Sequence, residues 1–415
     1  MIIIGALKLK LLVVSQYFWP EQFLINELVD SLSSEGHEVE VLTAEPNYPS
    51  GEIYSDYVTN KDKYKKFGDV KVHRCKILPR GKSKIGLIGN YLSFMFSSTY
   101  YVKKHFRKSN FDAILFFQLS PVFSGLPAIV CKNQLGIPLA TWVQDLWPES
   151  LTATGQVKNR IIIEKIRSFV KYVYRNSDSI YIQSEWFREK IQSEIEPESY
   201  SKIKYLPNWS NKCFECSEIV NIDFYSKVDN VFDFVFAGNV GEAQDIDNII
   251  KAVSLVESDK KFRVVIIGDG NAKNRAESLV HDMNLSDRFK FISRKDIKFM
   301  PAVFNKSDAL LVSLRNEEIF NMTIPSKVQA YLASGKPILA SLSGAGAEII
   351  SESQCGIVSS PGNAEELSVA MQKMMNLSSA DLFAMSSNGK SYYKDHFSFS
   401  HVKEALISDL KRLSK

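Results

Sequence analysis

The stretch from residue 308 to 340 narrows the possible folds more than any other part of the chain. It reads DALLVSL, a loop, TIPSKVQAYLASG and then KPILAS. Two short apolar runs bracket one helical segment, the pattern of parallel strands joined by a crossover helix. Thr323-Ile324-Pro325-Ser326-Lys327 opens that helix with a hydroxyl cap, a proline suited to the first turn and a lysine close behind. A helix that starts at the carboxyl end of a buried strand presents unpaired amide N–H groups and its positive dipole end, and so makes an anion site. Ser326 and Lys327 add a hydroxyl and a full charge, which suits a phosphate or diphosphate.

The same grammar runs through the chain, whose 415 residues, 45% apolar, suffice for two domains with full cores. Strands are expected at Lys8–Val14, Val39–Thr43, Val70–Arg74, Ala113–Phe117, Leu139–Val143, Ser179–Gln183 and Ile203–Leu206 in the first half. A second series follows at Phe232–Ala237, Phe262–Ile267, Phe289–Ile292, Ala309–Leu314 and Ile338–Ala340, with helices between and three more near 364–376, 380–387 and 401–413. Strands alternating with helices imply an α/β fold with a doubly wound parallel sheet in each half. Apolar periodicity gives way to Asn, Cys, Ser and Glu near 208–228. The expected architecture is two Rossmann-like domains facing a cleft: an N-terminal domain over 1–210, a linker over 211–228, a C-terminal domain over 229–392 and a final helix over 393–415.

Five scattered cysteines suit a reduced cytosolic protein, and Cys213-x-x-Cys216, with no second pair, reads as an incidental loop. Lys8 and Lys10 interrupt the apolar start, which reads as a first strand behind a short leader rather than a signal peptide. Residues 85–102 lack charge, yet Asn90, Ser93, Ser97, Ser98 and Thr99 argue against a membrane span. A helix packed in the domain is expected there, a helix lying on a membrane being the alternative. Between Lys61 and Lys108 fourteen Lys and Arg face only Asp62 and Asp69, a net +12 that leaves the rest of the chain at −8 out of a total of +4. This block, interleaved with Tyr64, Phe67, Tyr91, Phe94 and Tyr100, suits an anionic membrane surface, while the acidic remainder speaks against nucleic acid.

Ligands of such sheets sit beyond the carboxyl ends of the strands. In the second half these junctions read Gly238-Asn239-Val240-Gly241, Gly268-Asp269-Gly270, Ser293-Arg294-Lys295 and Arg315-Asn316-Glu317-Glu318. Together with Thr323, Ile324, Ser326 and Lys327 they form one edge able to take a nucleotide. A dinucleotide GxGxxG and a Walker A loop are both missing from the sequence, which argues against hydride transfer and ATP hydrolysis. In the first half the junctions bring Gln16 and Glu21, then Asn47, then Asp145 and Trp147. Carboxylates, amides and aromatic faces together suit a sugar. Asp245-Ile246-Asp247 spells DxD at a helix start, where acids belong for dipole reasons, and no metal is expected.

VSQYFWPE, GHEVEVLT, PNYPSG, NYLSF, WVQDLWPES, YLPNW, FAGN, GDG and TIPSKVQAYLASGKPILA, in this order, resemble the GT-B glycosyltransferases of the large retaining family four. More narrowly, they are similar to bacterial transferases of O-antigen and capsule assembly, including those that add N-acetyl-L-fucosamine. The resemblance implies a C-terminal helix crossing back to the first domain and transfer of a sugar, with retention, from a nucleotide diphosphate donor, UDP-linked by preference. It implies a lipid-linked saccharide acceptor, no metal or other cofactor, and a cytoplasmic enzyme peripheral on the inner membrane face. Lys327 and Arg294 are then expected to neutralise the leaving diphosphate, and Asp145 and Glu318 to meet the sugar. Gly238, Asn239, Gly268, Asp269, Gly270, Ser293, Thr323, Ile324, Ser326 and Gln329 would line the donor, and Gln16, Glu21, Asn47 and Trp147 the acceptor. Where the wider family carries an arginine, a lysine and a second glutamate, this chain has Asn239, Gln244 and Ala330, with Gln329 beside the last. A nucleotide-sugar epimerase of the same shape and a non-catalytic partner of an assembly complex are the other readings.

Overall fold

The computed structural model describes residues 8–81, 83–153, 157, 159–215 and 220–415. The leader, Lys82 of the basic block and Cys216 of the cysteine pair lie outside the described residues. The chain forms two compact units, Met1–Leu206 with Lys403–Lys415, and Pro207–Val402.

The first unit holds strands β1 (Lys10–Val14), β2 (Glu38–Ala44), β3 (Lys66–Phe67), β4 (Val70–Cys75), β5 (Ala113–Gln118), β6 (Leu139–Val143), β7 (Ser179–Ile182) and β8 (Ile203–Tyr205). They line up as β3-β4-β2-β1-β5-β6-β7-β8, parallel except for the short β3–β4 pair. The helices are α1 (Leu24–Ser34), α2 (Ser55–Thr59), α3 (Lys84–His105), α4 (Leu126–Leu135), α5 (Glu149–Ala153), α6 (Arg160–Asn176) and α7 (Arg188–Gln192). β5 and β6, AILFFQ and LATWV, are buried at every position, as expected of strands covered by helices on both faces. The carboxyl end of β1 is a switch point, because the chain leaves it toward β2 on one side and β5 on the other.

The second unit holds β9 (Phe232–Ala237), β10 (Phe262–Ile267), β11 (Phe289–Ile292), β12 (Ala309–Ser313), β13 (Ile338–Ser341) and β14 (Gly356–Ser359), all parallel, in the order β11-β10-β9-β12-β13-β14. Its helices are α8 (Ile246–Leu255), α9 (Lys273–Asp282), α10 (Met300–Lys306), α11 (Glu318–Met322), α12 (Ser326–Ser334), α13 (Ala345–Glu352), α14 (Ala364–Asn376) and α15 (Ser379–His396). Here the switch point lies between β9 and β12. The last helix, α16 (Phe399–Leu413), carries residues 403–413 into the first unit. There Asp409 accepts hydrogen bonds from Lys204 on β8 (2.5 and 2.6 Å) and from Ser179 (2.9 Å) and Tyr181 (2.8 Å) on β7.

Four elements of the second unit differ from the expected pattern. α13 and β14 complete the second sheet but were not foreseen, because β14 is only GIVS and is recognisable chiefly by pairing with β13. α11 is one short turn set between two loops. α15 runs unbroken for eighteen residues, since its central Gly389 packs against Cys355 and Leu332 instead of ending the helix.

Candidate functional site

In the second unit the strand ends are drawn together by glycine. A Cβ on Gly268 would lie 1.8 Å from the carbonyl oxygen of Gly238, and one on Gly270 would lie 2.2 Å from that of Val240. The loops after β9 and β10 therefore touch backbone to backbone, stitched by Gly238 N–H to Ile267 (2.9 Å) and Val240 N–H to Asp269 (3.0 Å). Asn239 and Gln244 bond each other (3.4 Å), and Gln244 also accepts from the Gly241 N–H (3.1 Å). The two positions where the family carries cations thus brace the turn in this chain.

Lys327 runs across this edge from the first turn of α12. Its Cε would stand 2.8 Å from a Cβ on Gly238, whose φ of +139° itself favours glycine, so a side chain there would push the lysine stem aside. Its ammonium lies 4.8 Å from the centre of the Phe236 ring, a cation–π contact. No carboxylate or carbonyl among the described residues bonds it, and burial brings its pKa down to about 8. The expected hydroxyl cap is absent. Pro325 occupies the cap position without a side-chain bond, and the Thr323 hydroxyl turns back to the Ile319 carbonyl (2.9 Å). The correction strengthens the anion reading, because no cap competes with an incoming anion for the helix-start amides. Ser326 is exposed in the same turn, whereas Ile324 is buried in the core beneath it.

Asp269 accepts from the Arg294 backbone N–H (2.8 Å) and from Lys273 Nζ (2.7 Å), which also reaches Ser293 (3.4 Å). Those bonds, Lys273 first, hold the Asp269 carboxyl below its usual range. Lys273, absent from the sequence reading, therefore joins Gly268, Asp269, Gly270, Ser293 and Arg294. It could have been found as the first residue of the helix that follows GDG. Glu318 starts α11, one residue after its extended neighbour Glu317. Gln329 is buried with its amide donating to the Asn208 carbonyl (2.7 Å), which gives that group a bracing role within the unit.

In the first unit Asp145 follows β6. Its carboxylate accepts from the Ser120 hydroxyl (2.8 Å), which in turn accepts from Trp147 Nε1 (2.9 Å). Burial raises the Asp145 pKa above the usual carboxylate range, while the Ser120 hydroxyl opposes the shift. Trp147 is packed between Tyr91 (6.3 Å) and Phe123 (5.7 Å). Ser120 stands in the junction after β5, which lies between β1 and β6 in the sheet, and no charge or glycine turn marks it in the sequence. Arg80 is a further unforeseen neighbour, its charge acting on the Tyr17 and Tyr91 hydroxyls.

Glu21, Asn47 and Gln16 lie deeper than a contact surface requires. The Glu21 carboxylate is 3% exposed and accepts the N–H groups of Asn47 (2.7 Å), Tyr48 (2.7 Å) and Phe18 (3.3 Å), pinning the loop after β2 to the loop after β1. Gln16 donates to Asn90 (2.9 Å), and Asn90 donates to Asn47 (3.5 Å) and to the Leu78 carbonyl (2.7 Å). These amides hold α3 against the strand ends. Asp247 of the DxD pair binds Arg275 (3.2 Å), consistent with its reading as a helix-start acid.

Comparison with known proteins places this geometry. Residues 221–392 match the family described as Glycosyl transferases group 1, and residues 24–209 match the Glycosyl transferase 4-like domain. WcaI of Escherichia coli (strain K12), whose name assigns it to colanic acid biosynthesis as a glycosyl transferase, is 25% identical over 79% of this chain and 82% of its own. WbjE of Pseudomonas aeruginosa, named as a glycosyltransferase, is 27% identical over 66% of each chain. Among solved structures, Anabaena HepE in complex with UDP and glucose superposes with a TM-score of 0.65 at 14% identity, covering 97% of this chain and 99% of that one. The protein is an enzyme, a glycosyltransferase with the GT-B fold. Two family models thus meet in this one chain, each over less than half of its length, group 1 in the second half and 4-like in the first.

Proposed function

We propose that the protein moves a sugar from a nucleoside diphosphate donor, UDP-linked, to a lipid-linked saccharide during assembly of a bacterial surface polysaccharide, with retention of anomeric configuration. The observation that carries this reading is Lys327, a desolvated ammonium that meets the Phe236 ring but no carboxylate or carbonyl among the described residues, at the uncapped start of α12. Such a group lowers the energy of a departing diphosphate, whose charge grows as the bond to the sugar breaks. Helix-start amides, Lys327, Lys273 and Arg294 stabilise that charge, and Asp145 meets the sugar or its developing positive centre. The C1–O bond to the diphosphate breaks as a C1–O bond to the acceptor hydroxyl forms, and the hydroxyl proton leaves with the diphosphate.

The names of WcaI and HepE's bound UDP support the pathway class and the donor base. N-acetyl-L-fucosamine is the sugar that the sequence resemblance points to. The protein then works on the cytoplasmic face of the membrane, without a metal. Incubation with UDP- and GDP-sugars in EDTA, with and without a lipid-linked acceptor, tests this. Slow release of the nucleotide from one UDP-sugar and a new glycosidic bond only with acceptor are expected. An epimerised donor formed without acceptor, or no binding of any nucleotide sugar, overturns the reading.

A further inference from the structure

No helix among the described residues is long and apolar enough to cross a membrane. Yet α3 keeps one strongly apolar face uncovered. Its inner face buries Asn90, Phe94, Met95, Ser98 and Val102. Its outer face carries Ile88, Leu92, Phe96 and Tyr100 at successive four-residue steps, all exposed, Phe96 at 63% and Tyr100 at 65%. Four-residue spacing stacks side chains into one ridge. Leu78, 59% exposed, extends it, because its N–H bonds Ser93 of α3 (2.8 Å) and its Cδ1 lies 3.6 Å from the Cβ position of Gly89.

The charge around this ridge has one sign. Residues 70–111 hold ten Lys and Arg and no Asp or Glu. Lys76, Lys103, Lys104, Arg107 and Lys108 are exposed beside or beyond the ridge. By contrast, Lys63 and Lys65 of the basic block are already paired, with Asp56 (2.7 Å) and Asp62 (2.5 Å). Two of the aromatics expected at a membrane, Tyr64 and Phe94, are buried. Five exposed cations with no ion pair among the described residues thus lie on α3 or in the segments next to it, where the uncovered apolar groups are.

We propose that the Leu78, Ile88, Leu92, Phe96 and Tyr100 ridge enters the headgroup–acyl boundary of an anionic bilayer, with the acid-free cations around it held by lipid phosphates. An apolar ridge framed by cations is complementary to that boundary, where acyl chains take the apolar side chains and anionic headgroups the cations. The proposal rests on the reading of a lipid-linked acceptor and names the surface that brings the enzyme to it.

The test is partition of the full chain onto vesicles of phosphatidylethanolamine with phosphatidylglycerol, set against phosphatidylcholine alone. Wild type should favour the anionic vesicles and stay partly bound in about 0.5 M NaCl, where purely ionic contacts are screened. F96D/Y100D should cut partition at least tenfold at either salt, with melting temperature, UDP affinity and transfer to a water-soluble saccharide unchanged. Unaltered partition of F96D/Y100D overturns the proposal, as does a change from dimer to monomer with partition intact, which would assign the ridge to a second copy. A wild type that enters vesicles through the ridge but transfers no sugar to a lipid-linked acceptor leaves the surface standing and removes the acceptor reading instead.

Discussion

Lys327 lies over the ring of Phe236, 4.8 Å from its centre, and this contact joins α12 to the strand β9 on the other side of the switch point. A lysine so placed costs the empty protein stability and repays it when an anion arrives. The cost and the return can be measured separately.

Burial lowers the Lys327 pKa from 10.5 to about 8. The unfolded chain therefore binds the extra proton between about pH 8 and 10.5, and stability of the empty protein rises across that window. K327M removes the buried charge and is expected to raise the melting temperature at pH 7, an advantage that fades by about pH 10.5. A diphosphate prefers the charged form, so UDP affinity is expected to hold constant below about pH 8 and to weaken about tenfold per unit above it. In K327M that affinity should fall roughly 30-fold, with the pH dependence gone. Calorimetric titration at pH 7, 8 and 9 checks both; a pH-independent wild type would show that the ammonium does not meet the anion.

Ser120 stabilises the charged form of Asp145 through its 2.8 Å bond, against burial that raises the pKa. S120A is expected to push that pKa further up and move the acidic limb of kcat/KM to higher pH. A hydrogen bond to a charge is worth about 1.5–3 kcal/mol, so the rate should drop on the order of tenfold at the acid end and recover as pH rises. A uniform drop at every pH would instead mean that Ser120 only packs.

Asp409 is half-buried, which opposes ionisation, yet Lys204, Arg412, Tyr181 and Ser179 together hold its pKa down to about 2. A carboxylate depressed in the folded state adds stability above its unfolded pKa near 3.8, and loses it as pH falls through about 2. D409N is expected to cost about 2 kcal/mol in urea unfolding at pH 7, since Lys204 is left without its partner. The gap from wild type should narrow below about pH 4 and close as pH falls through about 2.

Long apolar strands made most of both sheets readable in the sequence, because burial on both faces leaves the same mark wherever a strand lies. β1, β5, β9, β10 and β12 all fall within two residues of their expected bounds. β14 and α13 left no comparable mark, being short and defined by their neighbours. The candidate site divides likewise. Lys327, Gly238, Gly268 and Asp145 stand at junctions whose residue types speak for themselves. Glu21 and Gln329 carry equally suggestive chemistry, but their polar groups turn inward to backbone partners, and only coordinates reveal that direction. Ser120 and Lys273 are ordinary residues given significance by the groups they meet in space.

The return of residues 403–415 to the first unit sets an order on biosynthesis. A ribosome working from the amino end completes Pro207–Val402 before it releases the helix that caps β7 and β8. The lobe begun first is the one finished last, and until Asp409 emerges Lys204 and Tyr181 wait without their anchor.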